Sequence, residues 1–140
     1  MKKYYVILDT NVVVSGLLGT PDESYPAKLL NYVYDEIIVP VYSDDIIVEY
    51  KKVLNRKEFH FTKKQKGDFI NSVMRFGLKI DPTKEDFDLI DRDDIIFYEV
   101  LMTKDSKEKY LTTGNLKHFP KNKYIKLPKE MVDIINSHKK

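Results

Sequence analysis

Apolar positions along this chain fall into short continuous runs and longer runs of helical spacing, in alternation. Tyr4-Tyr5-Val6-Ile7-Leu8 is the first continuous run, the pattern of a strand buried on both faces. It breaks at Asp9-Thr10-Asn11 and resumes as Val12-Val13-Val14, which predicts a strand over 4–8 and a helical turn after Asn11. After a loop from Gly19 to Pro26, Leu29, Leu30, Val33 and Tyr34 recur at helical spacing between Ala27 and Asp35. Ile37 to Val41 reads as a second buried strand. Ser43 then caps a helix over 43–56, with Asp44 and Asp45 in its first turn, where the helix dipole favours negative charge. Its inward stripe is Ile46, Ile47, Tyr50, Val53 and Leu54.

The alternation continues to the end of the chain. Thr62 can cap a helix running to about Phe76, with Phe69, Ile70, Val73 and Met74 inward. Leu78 to Ile80 is a short strand stopped by Asp81-Pro82, and Asp93 or Asp94 opens a helix carrying Ile96, Phe97, Val100 and Leu101. Tyr110 to Thr113 and Lys123 to Leu127 are the last strands, and Pro128 suits the first turn of a terminal helix bearing Met131, Ile134 and Ile135. Strands that alternate with helices, without tight hairpin signals, predict an α/β fold with a parallel sheet covered on both faces. No repeat, linker or low-complexity stretch divides the chain, so residues 1–140 are expected to form one domain.

Composition narrows the chemistry. A chain of 140 residues can bury roughly two-thirds of its unfolded surface, and 42% hydrophobic with 33% charged residues describes a globular protein. There is no cysteine, and histidine occurs only at His60, His118 and His138, so a metal site would be mostly oxygen and would suit magnesium or manganese. A reducing cytoplasm is the expected compartment. Met1-Lys2-Lys3 before an apolar run imitates a signal peptide, but Asp9, Thr10 and Asn11 interrupt it and no small-residue cleavage site follows. No apolar run is long enough to span a membrane. The net charge of +2 is too small to imply a polyanionic partner, although lysines cluster at 51–52, 63–66, 117–123 and 139–140.

Four positions carry the candidate chemistry. Asp9 stands where a buried strand ends, the place at which parallel α/β sheets collect ligands; a turn former or helix cap is the plain alternative. Glu49, at about 100° per residue along its helix, falls at the margin of the apolar stripe, unless it is simply paired with Lys52 on the surface. Asp91-Arg92-Asp93-Asp94 crowds three carboxylates into four residues, a repulsion that a helix dipole relieves in part and a divalent cation relieves far more. Tyr110-Leu111-Thr112-Thr113-Gly114-Asn115 ends another strand at the same sheet edge, where Asn115 can offer a carbonyl ligand or form a turn with Gly114. His118 could act as a general acid or base, but a surface or packing role is the favoured reading, since little in the sequence fixes its position.

Taken in order, Val6-Ile7-Leu8-Asp9-Thr10-Asn11 with Val14-Ser15-Gly16-Leu17-Leu18, Glu49-Tyr50 with Val53-Leu54, Asp91-Arg92-Asp93-Asp94 and Tyr110 to Asn115 resemble the PIN (PilT N-terminus) domain nucleases. The likeness is greatest to bacterial, VapC-like toxin components of toxin–antitoxin pairs. The resemblance implies a Rossmann-like, three-layer α/β/α sandwich with a central parallel sheet and an acidic pocket that binds Mg2+ or Mn2+ to hydrolyse RNA. By motif position Asp9, Glu49 and Asp94 take the places of the metal-binding acids, with Asp91 at a second acidic position. Thr10, Asn11 and Thr113 would support them, and Lys117 would hold the RNA backbone. Asn115 stands where many members carry a fourth aspartate, which puts a second metal in doubt. The resemblance also makes a homodimer and a cognate antitoxin the expected partners. Two other readings stand beside it: a PIN-like module left inactive by Asn115 that binds RNA or protein, and a haloacid-dehalogenase-like phosphatase. The phosphatase would want a second aspartate two residues after Asp9, where the chain has Asn11.

Overall fold

A computed structural model describes residues 2–84 and 90–138; the lysine pair 139–140 lies outside the described residues. Five strands form one parallel sheet: β1 (Tyr4–Leu8), β2 (Ile38–Tyr42), β3 (Leu78–Lys79), β4 (Lys109–Thr112) and β5 (Ile125–Lys126), in the order β3-β2-β1-β4-β5. Among the described residues six α-helices connect and follow them: α1 (Thr10–Leu18), α2 (Tyr25–Tyr34), α3 (Asp44–Leu54), α4 (Lys63–Phe76), α5 (Arg92–Met102) and α6 (Pro128–Ser137). This is the expected Rossmann-like α/β/α sandwich. The central strands are the buried ones: Val6, Ile7, Leu8, Ile38 and Leu111 are fully inaccessible, whereas the edge strand β3 is only partly covered.

Local chemistry sets the helix ends. The Ser24 and Ser43 hydroxyls accept from the amides of Ala27 and Ile46, and Thr62 and Gln65 form a reciprocal capping box at the start of α4. Gly77 lies where α4 closes on β2, and a Cβ there would collide with the carbonyl oxygens of Val73 and Pro40. The core runs unbroken from the sheet into the helices, with Tyr50, Phe69 and Phe97 its largest fully buried side chains. Tyr50 stacks edge-on to Phe69 and tilts against Phe97, joining α3, α4 and α5.

Several boundaries differ from those read in the sequence. Asp9 begins a nine-residue helix rather than a single turn, because its backbone carbonyl accepts from Val12 and Val13 and starts the helical ladder at Thr10. Ser24 and Pro26 belong to the start of α2, not to the preceding loop. Helix α5 starts at Arg92, with Asp91 rather than a later aspartate as its first flanking residue. Met74 is 52% exposed, since Phe69, Ile70 and Val73 already fill the inward stripe of α4. Two charged residues, Glu99 and Lys109, are buried although nothing in their sequence pattern marks them as inward. Glu99 receives Lys84 Nζ at 2.7 Å, and Lys109 Nζ donates to the Thr103 carbonyl and to Asp105, both at 2.9 Å.

Candidate active site

Strand β1 is paired with β2 on one side and β4 on the other, and the chain leaves β1 toward β2 but reaches β4 only by crossing back from β3. Connections that depart on opposite sides open a crevice at the carboxyl ends of the two strands. Asp9 follows β1 into this crevice and Thr113 follows β4. Their backbones are held side by side by the Asp9 amide, which donates to the Thr112 carbonyl at 3.0 Å. The Thr113 hydroxyl then donates to Asp9 Oδ2 at 2.6 Å. It also accepts from the Asn115 amide at 3.0 Å, so a short chain of hydrogen bonds fixes the Asp9 carboxylate.

Helix α3 brings Glu49 to the same crevice. Its neighbour Tyr50 is buried and donates its hydroxyl to the Leu8 carbonyl, which pins α3 against the end of β1. Glu49, half-buried beside it, faces the space above Asp9. The pairing with Lys52 considered from sequence does not form; among the described residues no hydrogen bond or ion pair engages Glu49. The start of α5 supplies Asp91, Asp93 and Asp94. The result is a cavity of about 260 Å³ lined by Asp9, Glu49, Asp91, Asp93 and Asp94, with Thr10, Asn11, Arg56 and His118 around them.

The electrostatics of this cavity are unfavourable to its own charges. Asp9 is only 5% exposed, and burial raises its pKa against the pull of the Thr113 hydroxyl, the amides of Thr10 and Asn11, and His118. Burial also raises the pKa of Asp94, followed by the charge of Asp9; His118 opposes the shift, and Asp91 and Asp93 add to it. Tyr50 is raised as well, by burial and then by Asp9. Ionising Asp9 or Asp94 therefore costs the fold something, and a charged Asp9 makes Asp94 harder to ionise.

Two residues enter this site that sequence reasoning did not place there. His118 closes a short 3-10 turn, Leu116–His118, that folds the chain back after β4, and its Nδ1 comes within 3.3 Å of Asp94 Oδ2. Arg56 follows the end of α3 and lines the cavity without pairing to any of its acids. The spacing of Arg56 from Glu49, two helical turns along one face, was the available signal for the second; for His118 none was visible. Asn115 and Lys117 do not line the cavity. Asn115 reaches it only through the bond from its amide to Thr113, and Lys117 is exposed on the adjoining turn.

The donors are those of a hard divalent cation. All the acids offer oxygen, and the Thr10 hydroxyl, buried in the wall of the cavity, has no hydrogen-bond partner. Among the described residues no three acids or imidazoles are already drawn together into a ligating group. The match is thus one of donor chemistry and uncompensated charge. A model of the PIN domain matches residues 5–117, from β1 to the turn beside the cavity. The chain belongs to the PIN domain family. PIN domains are generally nucleases and usually employ divalent metals. The matched span contains Asp9, Glu49, Arg56 and the whole Asp91–Asp94 segment and stops one residue before His118. Comparison with curated proteins and with solved structures gives no match. No helix among the described residues is long and apolar enough to cross a membrane.

Proposed function

We propose that this PIN domain is a divalent-metal-dependent endoribonuclease that hydrolyses RNA phosphodiester bonds, with Mg2+ or Mn2+ as its ion. The observation that supports this most is the acidic cavity: five carboxylates face one space, burial opposes ionisation of Asp9 and Asp94, and the charge of Asp9 adds to the cost at Asp94. Such an arrangement is unfavourable for a fold alone and favourable once a cation is present. Asp9 and Asp94 would hold the ion, with Asp91 assisting, and Glu49 would bind it or orient the attacking water. When bound, the ion supplies the positive charge that eases deprotonation of water and offsets charge on the phosphate.

The chain's own residues do the rest. The Thr113 hydroxyl holds the Asp9 carboxylate in one orientation. Asn115 steadies Thr113 through its amide. Lys117, exposed on the turn next to His118, would meet the RNA backbone. A cognate antitoxin and a homodimer are the partners that the toxin branch of the family suggests. One observation favours the second reading, an inactive binding module: Asn115 occupies the position of the usual fourth acid and lies outside the cavity lining.

One assay separates the two. Purified protein incubated with manganese and a varied pool of single-stranded RNA should cleave it, and Asp9→Asn and Glu49→Gln should each lower the rate by on the order of 100-fold. Absence of cleavage, or cleavage by both variants at the wild-type rate, would leave the binding module as the better reading.

A further inference from the structure

The Arg56 guanidinium is the one strong cation in the cavity lining, and nothing in the proposed chemistry uses it. Five carboxylates share that lining, yet none lies within ion-pair distance of Arg56, whereas His118 does pair with Asp94. Its backbone is held from both sides. The Arg56 amide donates to the Val53 carbonyl at 3.1 Å, and the Arg56 carbonyl accepts from the Phe59 amide at 3.2 Å. One residue earlier, the Asn55 side chain accepts from Lys66 Nζ at 2.7 Å, which ties the α3 end to α4. The side chain is therefore presented at the cavity from a fixed base, exposed and without a hydrogen-bonded partner among the described residues.

A guanidinium held beside acids without pairing to them suits a ligand that arrives with its own negative charge. Phosphodiester oxygens are such a ligand, and the planar fork of Arg bonds two of them at once. A phosphate cannot enter a cavity of bare carboxylates; it enters once a cation offsets them, and Arg56 would then stand at the rim with its donors free. We infer that Arg56 is a phosphate-binding residue, which grips the backbone of a single-stranded RNA at the scissile phosphate or its neighbour while the acids hold the metal. The inference rests on the ribonuclease reading and extends it to how the substrate is seated. The bland alternative makes Arg56 a counter-ion for the acids, and the two differ in what its removal does. A counter-ion competes with the metal and ignores the substrate. A phosphate ligand serves the substrate.

Arg56→Gln and Arg56→Lys should be compared with wild type in three measurements: steady-state cleavage with manganese, manganese binding by calorimetry, and RNA binding as a function of salt. The last uses a Glu49→Gln background with manganese present, so that Asp9 and Asp94 still hold the ion while cleavage is slowed. Loss of one charged phosphate contact should lower kcat/KM for Arg56→Gln by on the order of 10–100-fold. It should reduce the slope of log K against log salt by about 0.7, the value for one single-strand phosphate contact. Arg56→Lys should recover part of both, and manganese affinity should be equal to wild type or tighter. Unchanged kcat/KM and salt slope in Arg56→Gln, alongside a wild type that cleaves, would overturn the role of Arg56 alone, as would lost manganese binding in that variant. A wild type that neither cleaves nor binds RNA would instead overturn the ribonuclease reading beneath it.

Discussion

Strand β4 has a cluster of charge at each end, and the two are built on opposite plans. At its start, Lys109 is buried but satisfied: its ammonium bonds the Thr103 carbonyl and Asp105, and no cation is missing. Burial alone would raise the Asp105 pKa, but the Lys109 hydrogen bond, the Lys107 amide and both lysine charges outweigh it and hold the pKa down. At the far end of the same strand, Thr113 gives Asp9 a single hydroxyl, the adjacent acids repel one another, and the pKa values of Asp9 and Asp94 rise. One end keeps charge in order to hold the fold together. The other keeps it at the fold's expense, as functional sites commonly do.

The largest effect that would break this contrast is at the satisfied end. Lys109→Ala leaves Asp105 and the Thr103 carbonyl without their donor, and removing one member of a buried pair is costly. Because Asp105 is partly solvated, a loss of about 2–3 kcal/mol in urea unfolding is expected, just below the roughly 3–5 kcal/mol of a fully buried pair. Asp105 has a depressed folded pKa, so the stability it contributes is present above its unfolded pKa and is lost as pH falls through the folded one. The cost of Lys109→Ala should therefore shrink in acid. A variant as stable as wild type at neutral pH would show that the pair is merely tolerated.

The acidic end should behave in the reverse sense. Asp94 has a raised folded pKa, so its ionisation lowers stability as pH climbs from about 3.9, the unfolded value, through the folded one. Asp94→Asn removes that cost and should stabilise the metal-free protein by about 1 kcal/mol at pH 7, the usual gain when a functional site is relieved of strain. At about pH 3, where both states are protonated, the gain should vanish. Thermal unfolding at the two pH values checks it, and a destabilised Asp94→Asn at pH 7 would mean that His118 already compensates the acid.

Much of this was legible in the sequence because it depends on local pattern. The break of an apolar run at Asp9, the place of Glu49 at a stripe margin and the crowding of Asp91, Asp93 and Asp94 all pointed to one sheet edge, and the structure gathers their side chains around one cavity. The parallel sheet, though not its strand order, followed from alternating periods. What stayed hidden depends on how distant segments meet. His118 reaches Asp94 only because a 3-10 turn reverses the chain after β4. Lysine and glutamate read as surface residues by default, so Lys109 and Glu99 gave no sign of burial until Asp105 and Lys84 were seen against them. Met74 failed for a related reason: spacing marks a face, but only packing says how wide it is.

Calorimetric titration of the metal-free protein with manganese tests the claim that the cavity around Asp9 holds a divalent cation. Saturable binding is expected at pH 7, weaker at about pH 5, where protons compete for carboxylates of raised pKa. Asp94→Asn should weaken that binding by on the order of 10–100-fold. No binding at pH 7, or binding of the same strength in wild type and Asp94→Asn, would contradict the claim.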